Sequence, residues 1–189
     1  EVMPHFGFGT TTGQGRGVMP RHYYLDLATW HRINMLYNQR TLADLKALRR
    51  EADRPELLDR MLAVVDDRQG HALAIAVEAA KIALSDAEAT RIPLGPIAGG
   101  PNPVVTRAAF EAAVAAPVDR VRTMVAEVLR QAGLRAEEIG TVFLTGGSSS
   151  LPVLRAGVAS ALPGARMATG DLLGSVGTGL ALDARRRFR

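Results

Sequence analysis

Thr141-Val142-Phe143-Leu144-Thr145-Gly146-Gly147-Ser148-Ser149-Ser150-Leu151-Pro152 reads as a buried strand that enters a glycine turn and then a helix start. Val142, Phe143 and Leu144 favour extended backbone, and Gly146-Gly147 lets the main chain approach a ligand closely. Ser148 to Ser150 offer hydroxyls to the free N–H groups of the following helix, and Pro152 suits its first turn. Strand, glycine turn and helix N-terminus together form a ligand-facing unit of open α/β sheets, where nucleotides sit beyond the carboxyl ends of the strands. The same residues also suit an ordinary short connection between a closely packed strand and helix.

Around this stretch the chain reads as α/β at its end and mainly helical before it. The sequence predicts a helix over 152–162, a short strand over 165–168 and a last helix after Asp171. Upstream, Thr106 caps a helix that Pro117 restarts, and Gly133 closes it. Residues 89–94 alternate as an edge strand, and the glycine- and proline-rich run 95–103 reads as a turn or linker, taken as the boundary between two subdomains, 1–105 and 106–189. Earlier, apolar residues recur at helical spacing from Tyr23 to Tyr37, with Trp30 and the tyrosines as core anchors. A helix over 41–51 with Thr41 as N-cap follows, then a long helix over 55–85 in which Gly70 marks either a bend or a close helix contact. Its stretch 72–84 is rich in Ala, Leu, Ile and Val, so its polar members stand out. At 100° per residue Glu78, Lys81, Ile82 and Ser85 share one face, which suits either the hydroxyls and edge nitrogens of a nucleoside or a solvated stripe with a Glu-Lys pair.

The 189 residues are enough for one large or two small domains with a real core. No apolar run approaches a membrane span, no signal-peptide pattern opens the chain, and there is no cysteine; the expectation is a cytoplasmic protein that contacts neither membrane nor nucleic acid. Arg185, Arg186, Arg187 and Arg189 account for the whole formal charge of +4, so the chain has a basic tail on a neutral body. Gly13-Gln14-Gly15-Arg16-Gly17 lacks the strand before it and the Lys-Ser/Thr after it that a phosphate loop needs, and reads as a surface loop. Glu1 to Phe6 reads as the end of a helix, which points to a fragment.

Four motifs in order carry a resemblance: Lys81-Ile82-Ala83-Leu84-Ser85, Thr106-Arg107-Ala108-Ala109-Phe110-Glu111, Leu144-Thr145-Gly146-Gly147-Ser148 with Leu151-Pro152, and Asp171 with Gly177. In order and spacing the chain resembles the DnaK-type heat-shock chaperones, as the second half of their ATPase domain. It is most similar to the YegD-like branch through its aromatic early helix, Pro163-Gly164 and the stop after the last helix. The resemblance implies an actin-like ATPase lobe II: a helical subdomain followed by a partial mixed sheet flanked by helices. It implies ATP or ADP as ligand, with magnesium in the full-length protein, and a client or exchange-factor protein as partner. Glu78, Lys81 and Ser85 match the helix that bonds adenine and ribose; Gly146, Gly147 and Ser148 match the turn against the nucleotide; Asp171 matches an acidic residue nearby. Thr106, Arg107 and Glu111 match a structural motif at the subdomain junction. Ile82 and Ser150 stand where the main chaperones place arginines on adenine, so a cation–π contribution is lost and affinity is expected to change. The family's phosphate- and metal-binding loops precede the region represented, so these 189 residues alone are not expected to hydrolyse ATP. The alternatives are a degenerate actin-like module that binds a protein partner, and the C-terminal half of a small-molecule kinase of the same superfold.

Overall fold

The computed structural model describes residues 2–13, 17–170 and 174–188, and they form two compact units, 1–109 and 110–189. The first opens with a short 3-10 helix, Met3–Phe6, and an antiparallel pair, β1 (Thr11–Thr12) and β2 (Gly17–Val18). These strands flank the stretch read as a surface loop, of which residues 14–16 lie outside the described residues. Helix α1 (Arg21–Leu27) ends where the sequence predicted continuation, and a 3-10 helix, Trp30–Leu36, resumes after Thr29. That break rephases the side chains. Tyr23, Tyr24, Leu27, Ile33 and Leu36 are buried, whereas Leu25 and Trp30 are 60% and 57% exposed. Trp30 is thus corrected from core anchor to surface residue.

Helix α2 (Gln39–Glu51) is capped one turn earlier than expected. Asn38 Oδ1 accepts from the Thr41 amide at 2.8 Å, so Asn38 and not Thr41 is the N-cap. The long helix expected over 55–85 is two: α3 (Pro55–Asp66) and α4 (Gly70–Ala83), separated at Arg68, whose φ is +54°. Gly70 begins α4 because a side chain there has no room. A Cβ would lie 2.6 Å from Ile33 Cγ2 and 2.7 Å from the Tyr37 hydroxyl, which accepts the Gly70 amide at 2.9 Å. The core of this unit is Phe6, Met19, Ile33, Leu36, Leu45, Leu58, Met61, Val64 and Leu73, all at most 2% exposed. The Tyr24 hydroxyl donates to the Phe6 carbonyl at 3.1 Å, and burial holds that phenol well above its usual range.

Of the two readings of residues 95–103, turn or linker, the structure shows the turn. Strand β3 (Ala89–Arg91) pairs antiparallel with β4 (Val104–Thr106), and the intervening segment, with the short helix α5 (Gly95–Ala98), is the hairpin connection. Its glycines and prolines serve a turn inside the first unit, not a boundary between units.

The second unit is reached along α6 (Arg107–Ala132), which runs through Pro117 without a restart. It ends as the sequence predicted: Gly133 has φ +67°, and Leu134 N–H donates to Leu129 O at 3.0 Å. Strand β5 (Thr141–Leu144) pairs in parallel with β6 (Arg166–Thr169), joined through α7 (Pro152–Ala161). Among the described residues this is a two-stranded parallel pair, where a mixed sheet was expected. Val118 lies 2.7 Å from the Cβ that Gly157 of α7 lacks, so the glycine allows α7 to pack closely on α6. Helix α8 (Ser175–Arg187) closes the described chain. The chain is mostly helical with small sheets, and no described helix is long and apolar enough to cross a membrane.

Candidate functional site

The first group of candidate residues lies on α4, a helix favoured by its alanine-rich sequence and held at its start by the close packing of Gly70. Lys81 Nζ pairs with Glu78 Oε2 at 2.6 Å across one helical turn, with side chains 28% and 56% exposed. Both charged ends therefore reach solvent from the same face, and a ligand meets a paired acceptor and donor. Ile82, 59% exposed, stands beside them. Ser85 lies just past the last residue of α4, in a turn closed by Ser85 N–H to Ile82 O and Ala87 N–H to Ala83 O. The four residues do not share one opening. Glu78 and Ile82 line an apolar groove of about 720 Å³ with Trp30, Leu73 and Ile75, whereas Lys81 and Ser85 do not line it.

Trp30 is the residue that sequence reasoning misplaced here. Its ring meets His71 edge-on, with centroids 4.7 Å apart at 81°, at this groove. Periodicity carried it to the core because α1 was read as continuous; a stop after Leu27 was the missing signal.

The second group belongs to the other unit. Parallel pairing sets Leu144 against Thr169, so the Gly146-Gly147 turn and Gly170 leave the strands at the same edge. Gly146 has φ +83° and ψ 149°, a backbone conformation that only glycine adopts readily. It starts a 3-10 turn, Gly147–Ser150. The serines do not cap α7, contrary to expectation: Ser149 and Ser150 hydroxyls donate back to the Gly146 and Gly147 carbonyls at 2.7 and 2.6 Å, and Leu151 stands at the N-cap without a side-chain bond. Local return bonds of this kind compete with capping for short hydroxyl side chains. Ser149 is buried, while Gly146, Gly147, Ser148 and Ser150 are exposed, and the Ser148 hydroxyl has no hydrogen-bond partner among the described residues. A Cβ at Gly147 would meet nothing within 4 Å. The turn is thus an open, polar shelf that carries the exposed Ser148 hydroxyl. Asp171, the remaining candidate, lies outside the described residues.

No group of three or more His, Asp or Glu is placed to hold a metal among the described residues. Chemically, the α4 face offers a carboxylate, an ammonium and a hydroxyl, and the turn offers backbone and a hydroxyl. Both are means of binding and orienting a ligand.

Comparison with known proteins joins the two groups in one family. The profile of the Hsp70 protein family matches residues 55–171, which contain α4, the hairpin, α6 and the glycine turn. The chain is 39% identical over 100 residues to the chaperone protein HscA of Serratia proteamaculans, covering 51% of this chain and 16% of that protein. It is 38% identical over 90 residues to HscA of Klebsiella pneumoniae, covering 48% and 14%, and 34% identical over 98 residues to an HscA homolog of Variovorax paradoxus, covering 52% and 16%. The chain spans about a sixth of the length of these relatives. Because the family profile covers more than half of the residues, from α3 past the end of the β5–β6 pair, the chain belongs to the Hsp70 protein family.

Proposed function

We propose that this chain is the adenosine-binding half of an Hsp70-type, ATP-dependent chaperone protein of the YegD-like branch, built as lobe II of an actin-like ATPase. The observation that carries the reading is that one continuous family match takes in both the Glu78–Ser85 face and the Gly146–Ser150 turn. Donor and acceptor chemistry divides the roles. Glu78, which only accepts, accepts hydrogen bonds from ribose hydroxyls; Lys81, which only donates, donates to ribose oxygens. Ser85 both donates and accepts, as the adenine edge requires, and Ile82 covers the base with apolar surface. Gly146 and Gly147 let backbone lie against the nucleotide, Ser148 adds a hydroxyl, and Ser150 stands where the main chaperones supply an arginine. Asp171 matches the family's acidic residue by sequence. With no guanidinium on either face of the base, affinity is lower than an arginine-flanked site gives.

Phosphoryl transfer needs groups around the γ-phosphate and its metal, and this reading assigns none of them to these residues. The 189-residue chain therefore binds without turning over; the protein's ATP hydrolysis, magnesium and client or exchange-factor contacts belong to the larger assembly, in the cytoplasm. Calorimetry with ATP and magnesium on the protein as its native host expresses it is the test. Saturable heat supports the reading, and no heat with folded protein refutes it.

A second reading has its own observation. The groove lined by Trp30, Ile75 and Ile82 is apolar and open, which suits a module that binds a protein partner without nucleotide. Partner capture that ATP does not change would favour it.

A further inference from the structure

Among the described residues, Arg107 is the arginine whose guanidinium reaches back to the end of the candidate ligand helix. Its Nε donates to the Leu84 carbonyl at 3.0 Å, and its Nη1 pairs with Glu88 Oε1 at 2.9 Å. Leu84 is the C-cap of α4, so this bond satisfies a carbonyl that the helix leaves without an internal partner. The arginine is itself fixed. Its amide donates to the Glu88 carbonyl at 2.8 Å, its neighbour Thr106 is paired with Ala89 in the β3–β4 hairpin, and the Thr106 hydroxyl accepts the Ala109 amide at 3.2 Å. The Arg107 side chain is only 25% exposed, whereas that of Glu88 is 86% exposed.

From this geometry we infer that Arg107 is a positioning residue for the ligand face of α4: it anchors the turn that carries Ser85 and thereby sets the base-edge contact. The inference rests on the adenosine reading above. Glu78 lies more than one turn inside α4 and Lys81 stands in its last turn, two residues before Ala83, so both are residues of the regular helix itself. Ser85 lies past the end of α4, where the Arg107 bond to Leu84 is the side-chain tie from outside the turn. Loss of Arg107 therefore loosens the base contact and spares the ribose contact. The exposed Glu88 pair contributes little, because a solvated ion pair is weak and screened.

The experiment measures binding of ATP, inosine triphosphate and 2′-deoxyATP to the full protein and to Arg107→Met, Arg107→Lys and Glu88→Gln. Inosine changes the base edge that Ser85 meets, and 2′-deoxyATP removes a ribose hydroxyl. Arg107→Met is expected to weaken ATP about three- to tenfold, the range of one hydrogen bond. It is also expected to narrow the preference for ATP over inosine triphosphate by a similar factor, while the 2′-deoxy penalty stays within about twofold of wild type. Arg107→Lys keeps the charge but lacks the fork that serves carbonyl and carboxylate together, so it narrows the same preference and supplies the answer if the methionine variant does not fold. Glu88→Gln changes nothing beyond about twofold. Equal weakening of all three nucleotides, or an unchanged preference in a folded Arg107 variant, overturns the inference. Failure of the wild type to bind ATP overturns the adenosine reading and this inference with it.

Discussion

Gly147→Val separates binding from folding at the glycine turn. Gly147 is exposed, its φ lies outside the left-handed region, and a Cβ built on it meets no atom within 4 Å. The valine side chain therefore enters open space, and stability changes by no more than about 0.5 kcal/mol, as for other surface substitutions. A nucleotide lying against this backbone meets two methyl groups instead. Backbone and ligand must separate, or the ligand must shift; a tenfold loss, about 1.4 kcal/mol, is the least such a displacement costs. The assay pairs a thermal melt with ATP titration by calorimetry. An unchanged melting temperature with affinity lowered at least about tenfold is the expected result. Gly146→Val makes the control of opposite character: φ +83° forces strain of about 1–3 kcal/mol on a side-chain residue, so its melt falls as well. If Gly147→Val binds ATP like the wild type at an unchanged melting temperature, no ligand approaches this turn.

Lys81→Ala removes a charged donor and leaves Glu78 unpaired; nucleotide affinity should fall about 10- to 100-fold, equivalent to about 1.5–3 kcal/mol, in an ATP titration, with little change in the melt. Gly70→Ala places a methyl within 2.7 Å of both Ile33 and Tyr37. Overpacking of about 1–3 kcal/mol outweighs the helix gain of about 1 kcal/mol, so urea unfolding should move to lower denaturant. The hydrogen bond from Arg49, and then its charge, hold the Asp59 carboxyl below its usual range. A folded-state value below the unfolded one means that this pair stabilises fully above the ordinary carboxylate value of about 4 and is lost as pH falls through the lowered one. Melts between pH 6 and 2 should show wild type losing stability in that lower window, with a flatter profile for Asp59→Asn.

The sequence made the strand-turn-helix at 141–152 legible because β-branched and aromatic residues, paired glycines and a proline at the first helical position all point the same way. The Glu78–Ser85 face was legible from angular spacing, up to the point where α4 ends one residue before Leu84. Spacing cannot show where a helix stops, and the same limit misplaced Trp30, since the break after Leu27 depends on packing of the following 3-10 helix. Glycine and proline at 95–103 mark a turn but do not say whether it joins two units or two strands; the pairing of Ala89 with Thr106 decides that. The serines of the turn were read as caps because their residue type allows it, yet the nearer carbonyls of Gly146 and Gly147 took them. The Arg107 contact with Leu84 spans 23 positions and left no local pattern to read.

The most direct test of the central claim is photolabelling of the full protein with an azido-adenine ATP analogue in the presence of magnesium, followed by peptide mapping. The proposal that adenosine contacts the α4 face and the glycine turn predicts labels within residues 78–85 and 146–150, both suppressed by excess ATP. Labels confined to other segments, or labelling that ATP does not suppress, would contradict it.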